Sequence, residues 1–404
     1  MKKQYLILML VAMGCLAALS TDIYLPAMPA IADELDTNMA MVQITLALFF
    51  ATFALGQLVY GPLSDNFGRR KVLLVGIGLF GCAALLCANS TSVEMLMLGR
   101  FLLGMGACAG AVSSFAICRD VYDKTELTKT IAIISATIGI APLVAPPIGA
   151  MLNEFYGWQS IFYFLAIYAF MLFVWVLSSL PETNKTNLRS TQQVDNMGYL
   201  QMLTNVNYFP YIVVNASAFV ALFAFIASSP VIFMGHWQLT EYQFSLLFAF
   251  NAVWMIVANS LLSVALNKYS TDTMLKWGYL VIIGAATVML LSGDAAEFIA
   301  ALINVDVSIV AIVLFSGLMG TVTMGIAIVL SSSMSLLLQG VKHQYGKVVA
   351  LAGFVRFGCG FAITFAVSQM TIINVTVLAS IMIMCGAICL LVMVFRNKSK
   401  AILA

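Results

Sequence analysis

Residues 40–88 read AMVQITLALFFATFALGQLVYGPLSDNFGRRKVLLVGIGLFGCAALLCA. Two apolar runs, 40–61 and 72–88, flank the short polar segment Pro62–Lys71. Each run is close to the roughly 20 apolar residues that a helix needs to cross a bilayer core. The segment between them is long enough only for an immediate return. The stretch therefore reads as two membrane spans joined by a tight turn.

The rest of the chain has the same character. Of its 404 residues, 62% are apolar and 9% charged, with a mean hydropathy of +1.02. A soluble domain carries about 25% charged residues. This composition excludes a disordered or collagen-like chain, and no gap between apolar runs is long enough for a soluble domain. The net charge of +2 calls for no nucleic acid and no strongly acidic partner. An all-α polytopic protein with the lipid bilayer around it is expected.

Cutting at polar, Gly and Pro breaks predicts twelve spans. Six lie near 5–24, 40–61, 72–88, 93–117, 129–151 and 159–180, and six near 208–231, 242–265, 275–292, 307–331, 348–368 and 373–395. The polar stretch Pro181–Asn207, with Glu182, Lys185, Arg189 and Asp195, separates the two groups. The expected organisation is a six-helix half over 1–180, a cytoplasmic linker over 181–207, and a second six-helix half with a short tail over 208–404.

Charge fixes the expected orientation. With both termini cytoplasmic, all of the 19 Lys and Arg except the intramembrane Arg100 and Arg356 lie on the cytoplasmic side, as the positive-inside rule requires. The start, Met1-Lys-Lys with Leu6–Ala12 and Cys15, imitates a lipoprotein signal. However, Ala12 stands three residues before Cys15, the apolar run continues to Leu19 and more spans follow, so a retained first span is expected. The 8 cysteines lie in apolar segments without Cys-x-x-Cys spacing, and only 2 histidines, His236 and His343, could assist them. No metal site or disulfide framework is expected.

A faint internal repeat supports two similar halves moving about a central site. Gly61–Leu73 (GPLSDNFGRRKVL) closes the second span and Ser263–Leu275 (SVALNKYSTDTML) the eighth, the latter without the glycine and arginine chemistry. In the first copy, Gly61 and Gly68 allow a tight reversal and close helix approach, and Asp65 can pair with arginine. A plain positive-inside loop would explain Arg69, Arg70 and Lys71 but not the Gly/Asp spacing.

That first copy resembles the loop signature of the major facilitator superfamily. Leu98-Gly-Arg100-Phe-Leu-Leu-Gly104-Met-Gly106 is similar to the fourth-span motif of its twelve-span drug:proton antiporters. Gly139 to Ala150 (GIAPLVAPPIGA) is similar to their fifth-span motif, with Ala145 and Ala150 in place of glycines. Thr21-Asp22-Ile-Tyr24-Leu-Pro26-Ala-Met-Pro29, Arg119-Asp120-Val-Tyr122 and Gly353-Phe-Val-Arg356-Phe-Gly358 resemble the bicyclomycin/chloramphenicol-resistance branch, and Thr240–Phe250 is similar to amphenicol exporters. Where some relatives carry a second acid in the first span, this chain has Val11 and Gly14.

The resemblance implies two helical halves around a cavity that opens to either side in turn. It implies proton-driven export of a small amphipathic drug, no cofactor beyond the proton, and a place in the bacterial inner membrane. Asp22 would carry the proton and Arg100 would couple its charge to helix position. Asp65, Arg69, Arg70 and Asp120, with Gly61 and Gly68, would form a cytoplasmic latch. Gly139, Pro142, Pro146, Pro147 and Gly149 would shape the fifth span.

The residues also admit plainer readings. Asp22 could be an interfacial acid beside Pro26, and Arg356 could hold backbone carbonyls as readily as a substrate's negative group. Tyr24, Gln43, Phe49, Phe53, Asn215, Asn251 and Trp254 are cavity candidates, although interhelical packing explains such residues as well. Export of an endogenous metabolite is the alternative cargo. An intramembrane enzyme would need a nucleophile–base pair or metal cluster that the sequence lacks, and a sensor would need a signalling domain. A monomer is expected.

Overall fold

The computed structural model describes residues 3–122, 126–127, 130–131, 133–134, 137, 139–184, 198–205, 208–303, 305–339 and 345–403. Among these residues the secondary structure is helical, without strands. Eleven described helices are long and apolar enough to cross a membrane. The fifth expected span is represented by Ala141–Tyr156, with much of 129–138 outside the described residues. Residues 185–197 of the expected linker also lie outside them. The chain divides into two compact units, Met1–Asn196 and Met197–Ala404.

The first unit contains α1 (Lys3–Asp22), α2 (Met28–Glu34), α3 (Met39–Phe67), α4 (Arg69–Ala88), α5 (Val93–Val121), α6 (Ala141–Tyr156) and α7 (Gln159–Ser179). The starts of α3 and α5 are fixed by side-chain caps: Asn38 accepts from Met41 N at 3.0 Å and Ser92 from Met95 N at 3.3 Å. Such caps satisfy N–H groups that a helix start leaves free. Contrary to the expected end near residue 61, α3 runs on through Pro62 and Asp65 to Phe67. The reversal is confined to Gly68, whose φ of +96° is open to glycine and strained for other residues.

α5 packs along α1, α3 and α4. A Cβ on Gly104 would meet the Phe49 carbonyl of α3, and one on Gly106 would meet the main chain of Phe80 on α4. Backbone cannot step aside as a side chain can. Gly106→Leu should therefore destabilise the fold by about 1–3 kcal/mol, the usual range for overpacking. The check is the thermal midpoint of the purified protein. Gly61→Ala, at a helical position with open space around it, should leave the midpoint in place; equal midpoints for both variants would contradict the α4–α5 contact.

The second unit contains α8 (Tyr199–Thr204), α9 (Phe209–Pro230), α10 (Glu241–Ala265), α11 (Thr271–Leu290), α12 (Ser292–Ile303), α13 (Val307–Gln339), α14 (Tyr345–Ser368) and α15 (Val375–Leu403). α9 ends in a π-helical turn, Val231–His236, where Trp237 N donates to Ile232 O at 3.1 Å. Thr240 and Gln243 cap α10 reciprocally, and Ser270 caps α11. α13 packs against α9, α10 and α11.

Between the ninth and tenth spans, where only a connection is expected, the chain forms α12. It buries Ala296 and Ala300 against Val310 and exposes Phe298 and Leu302. It is too short to register as a span.

Candidate functional site

The deepest charges of the first half meet at the end of α1. Asp22 is its last residue and is 4% exposed. Its carboxylate accepts from Thr21 Oγ1 at 3.1 Å and forms no ion pair with a described residue. Arg100, fully buried on α5, donates from Nη1 to the Ser20 carbonyl at 2.8 Å. The last carbonyls of a helix lack intrahelical partners, and a cation there also meets the negative end of the helix dipole. The guanidinium lies 4.4 Å from the Tyr24 ring centre and 4.9 Å from that of Phe49.

Arg100 therefore caps α1 two residues before Asp22, without forming an ion pair with that acid. Cation–π contacts such as those with Tyr24 and Phe49 are worth about 2 kcal/mol when desolvated, comparable to the about 2.5–3.5 kcal/mol for placing such a charge mid-membrane. The Arg100 Nε and Nη2 atoms still lack partners. The Tyr24 hydroxyl is fixed 2.8 Å from Thr45 Oγ1.

A second cluster forms where α3 turns into α4. The Arg69 side chain is 4% exposed and reaches Asp65 Oδ1 at 2.5 Å. It also reaches Asp120 Oδ2 on α5 at 2.9 Å and donates to Ser64 Oγ at 2.6 Å. One guanidinium thus ties together the ends of three helices. Glu182, just beyond α7, caps the start of α4 by accepting from Arg69 N at 2.9 Å and Arg70 N at 3.2 Å. Arg70 Nη2 returns to the Leu177 carbonyl at 2.5 Å, and Asn184 Nδ2 donates to the Asp65 carbonyl at 2.9 Å. A Cβ on Gly68 would run into the Glu182 carboxylate, so this glycine serves both the turn and the cap.

On α6, Pro142 stands at the helix start, and Pro146 and Pro147 lie inside it. A Cβ on Gly149 would strike the Ile23 carbonyl, which explains the small residue beside the end of α1. Gly139 lies in the turn before α6.

In the second half, Asn215 donates to Ser333 Oγ at 2.9 Å and to the Leu330 carbonyl at 3.2 Å. Asn251 donates to its own helix at Leu247 O, 2.9 Å away. Trp254 packs against Gly320. Arg356 lies 4.4 Å from the Phe219 ring centre and 4.9 Å from that of Phe357. Tyr24, Gln43, Phe49, Phe53, Asn215 and Asn251 are all buried.

A family model described as Major Facilitator Superfamily matches residues 10–364. The chain belongs to the major facilitator superfamily. This facilitator is 32% identical over 272 residues to the bicyclomycin resistance protein homolog of Haemophilus influenzae, covering 67% of this chain and 68% of that one. It is 30% identical over 349 residues to a chloramphenicol resistance protein of Pseudomonas aeruginosa, covering 85% and 79%. The crystal structure of a D-xylose-proton symporter superposes with a TM-score of 0.74 over 97% of each chain at 16% identity, which shows the shared fold. As a facilitator the protein is a multi-pass membrane transporter of small molecules.

Three features of this facilitator escape sequence reasoning. Glu182 reads as one charge of a polar linker, whereas it caps α4. Ser20 and Thr45 carry no motif signal, yet one supplies the carbonyl that binds Arg100 and the other fixes the Tyr24 hydroxyl. The second half was expected to lack the arginine chemistry of the first loop. There Arg396 of α15 supplies a guanidinium to Asp272 Oδ1 at 2.7 Å, lying 4.7 Å from the Tyr211 ring centre.

Proposed function

We propose that the facilitator exports small amphipathic drugs, of the bicyclomycin or chloramphenicol kind named in its relatives, in exchange for protons. The observation that carries this reading is the buried Asp22 carboxyl, which has no ion pair with a described residue. An ionised carboxylate out of water is costly unless paired. Its charge state therefore follows its hydration and its contact with a cationic or polar cargo. Arg100 holds the adjoining end of α1, so a change of charge at Asp22 acts on a helix end already tied to α5.

Proton and drug then favour different conformations or compete for one site, as exchange requires. In this reading both termini and the 181–207 segment are cytoplasmic, and the Asp65–Arg69–Asp120 cluster is a cytoplasmic latch that stabilises the outward-open state. The fifth-span prolines and Gly149 shape a helix that packs closely on the end of α1. The unit of function is the monomer.

Everted vesicles acidified inside should accumulate labelled chloramphenicol against its gradient and lose it when the proton gradient is collapsed. Accumulation indifferent to collapse would overturn proton coupling. Failure to accumulate either chloramphenicol or bicyclomycin would overturn this class of cargo.

A further inference from the structure

Arg356 stands midway along α14, and Phe219 midway along α9. By helical rise each is some 15–18 Å from its helix ends, which places the guanidinium near the centre of the bilayer. Its flat face rests on the Phe219 ring at 4.4 Å and the Phe357 ring at 4.9 Å. Phe223 closes the group, with ring centres 5.0 Å from Phe219 and 5.9 Å from Phe357. Gly360, one turn after Arg356, leaves the room in which the Phe223 ring lies.

This aromatic cradle holds a cation that no described residue of its half neutralises. Nε is buried without a partner, and the side chain forms no hydrogen bond or ion pair with a described residue. The described acids of the second half stand in or beside the first turns of α10, α11 and α13 or within α12, and none is at this depth. The side chain is nevertheless partly exposed, so its fork is not sealed in.

Guanidinium forks match carboxylates bidentately. A fork already stacked on rigid rings loses little freedom when it binds. Lipid phosphates lie outside the hydrocarbon core, more than about 15 Å from the bilayer centre, too far to be the partner.

The geometry points to Arg356 as the anchor for a carboxylate on an aromatic or amphipathic cargo, with the half-buried Phe219 packing the cargo's ring. This assignment rests on the export reading for the direction of travel and extends its cargo to organic acids. The binding step can be read without transport.

The test uses the full-length protein in nanodiscs and an isosteric pair, indole-3-acetate and indole-3-acetamide. The wild type should bind the acid at least about tenfold more tightly than the amide, a difference of about 1.4 kcal/mol. Arg356→Gln should bring that ratio to about one while leaving amide affinity in place. Arg356→Lys keeps the charge but not the fork, should fold if Arg356→Gln does not, and should give an intermediate ratio. A wild type without preference for the acid, or a ratio unmoved in either variant, would overturn the assignment. Loss of antibiotic accumulation with the acid preference intact would overturn the export reading alone.

Discussion

Asp22→Asn should abolish accumulation of drug against its gradient while leaving the protein folded and inserted. Asparagine has nearly the same shape and can accept the Thr21 hydrogen bond now made at 3.1 Å. It can neither take up nor release a proton. Because the native carboxyl is buried and has no ion pair with a described residue, its loss removes no partner charge, and the thermal midpoint should change little. The functional loss should be complete: resistance falls to that of cells without the transporter, and drug no longer displaces protons from purified protein in weak buffer. Downhill exchange of a neutral drug should survive, since the apolar surroundings remain. Accumulation and proton release at wild-type levels in Asp22→Asn would place the exchanged proton on another group.

The second large effect is expected at Arg69. Its guanidinium serves Asp65, Asp120 and Ser64 at once, at 2.5, 2.9 and 2.6 Å. Arg69→Gln removes the charge and leaves two carboxylates facing each other's helix ends. The carboxylates left behind are 57% exposed at Asp65 and 17% exposed at Asp120, so the cost falls below the about 3–5 kcal/mol of breaking a fully buried pair. Transport should slow sharply at near-normal expression, and cysteines placed at the facing ends of α3 and α5 should become more reactive. Lysine cannot span three acceptors as the fork does and should restore only part of the activity. If Arg69 and Asp120 act as a unit, Arg69→Gln combined with Asp120→Asn should cost less than the sum of the two, by about 0.5–3 kcal/mol. Additive effects with unchanged cysteine reactivity would remove the latch from the mechanism.

How much of this was legible beforehand follows from the range of each interaction. The spans stand out because apolar runs of membrane length need no partner to be recognised. Asp22, Arg100 and the Asp65–Arg69–Asp120 group were visible as charges in apolar or motif surroundings. Their bonds were not. The resemblance couples Arg100 to the charge of Asp22, whereas the guanidinium binds the free carbonyl that the helix end offers at Ser20. Glu182 contacts Arg69 across 113 residues of sequence, and Arg396 contacts Asp272 across 124. No periodicity announces such contacts. The continuation of α3 through Pro62 and the formation of α12 were hidden by the opposite problem: a proline that reads as a stop, and a helix too short to read as a span.

The π-helical turn at Val231–His236 bears on how this transporter tolerates changes in length. A ring closed over i→i+5 contains one residue more than an α-helical turn, so the span carries a surplus residue at its end. Deleting a single residue within that turn would let the backbone close in ordinary α geometry. Phe219 and Phe223 would keep their places, and Trp237 with the connection to α10 would stay in register because the surplus residue is the one lost. A deletion in the middle of α9 has no such reserve and would rotate every side chain beyond it. Single-residue deletions along this helix should therefore divide sharply by position, with the tolerated ones gathered in its final turn.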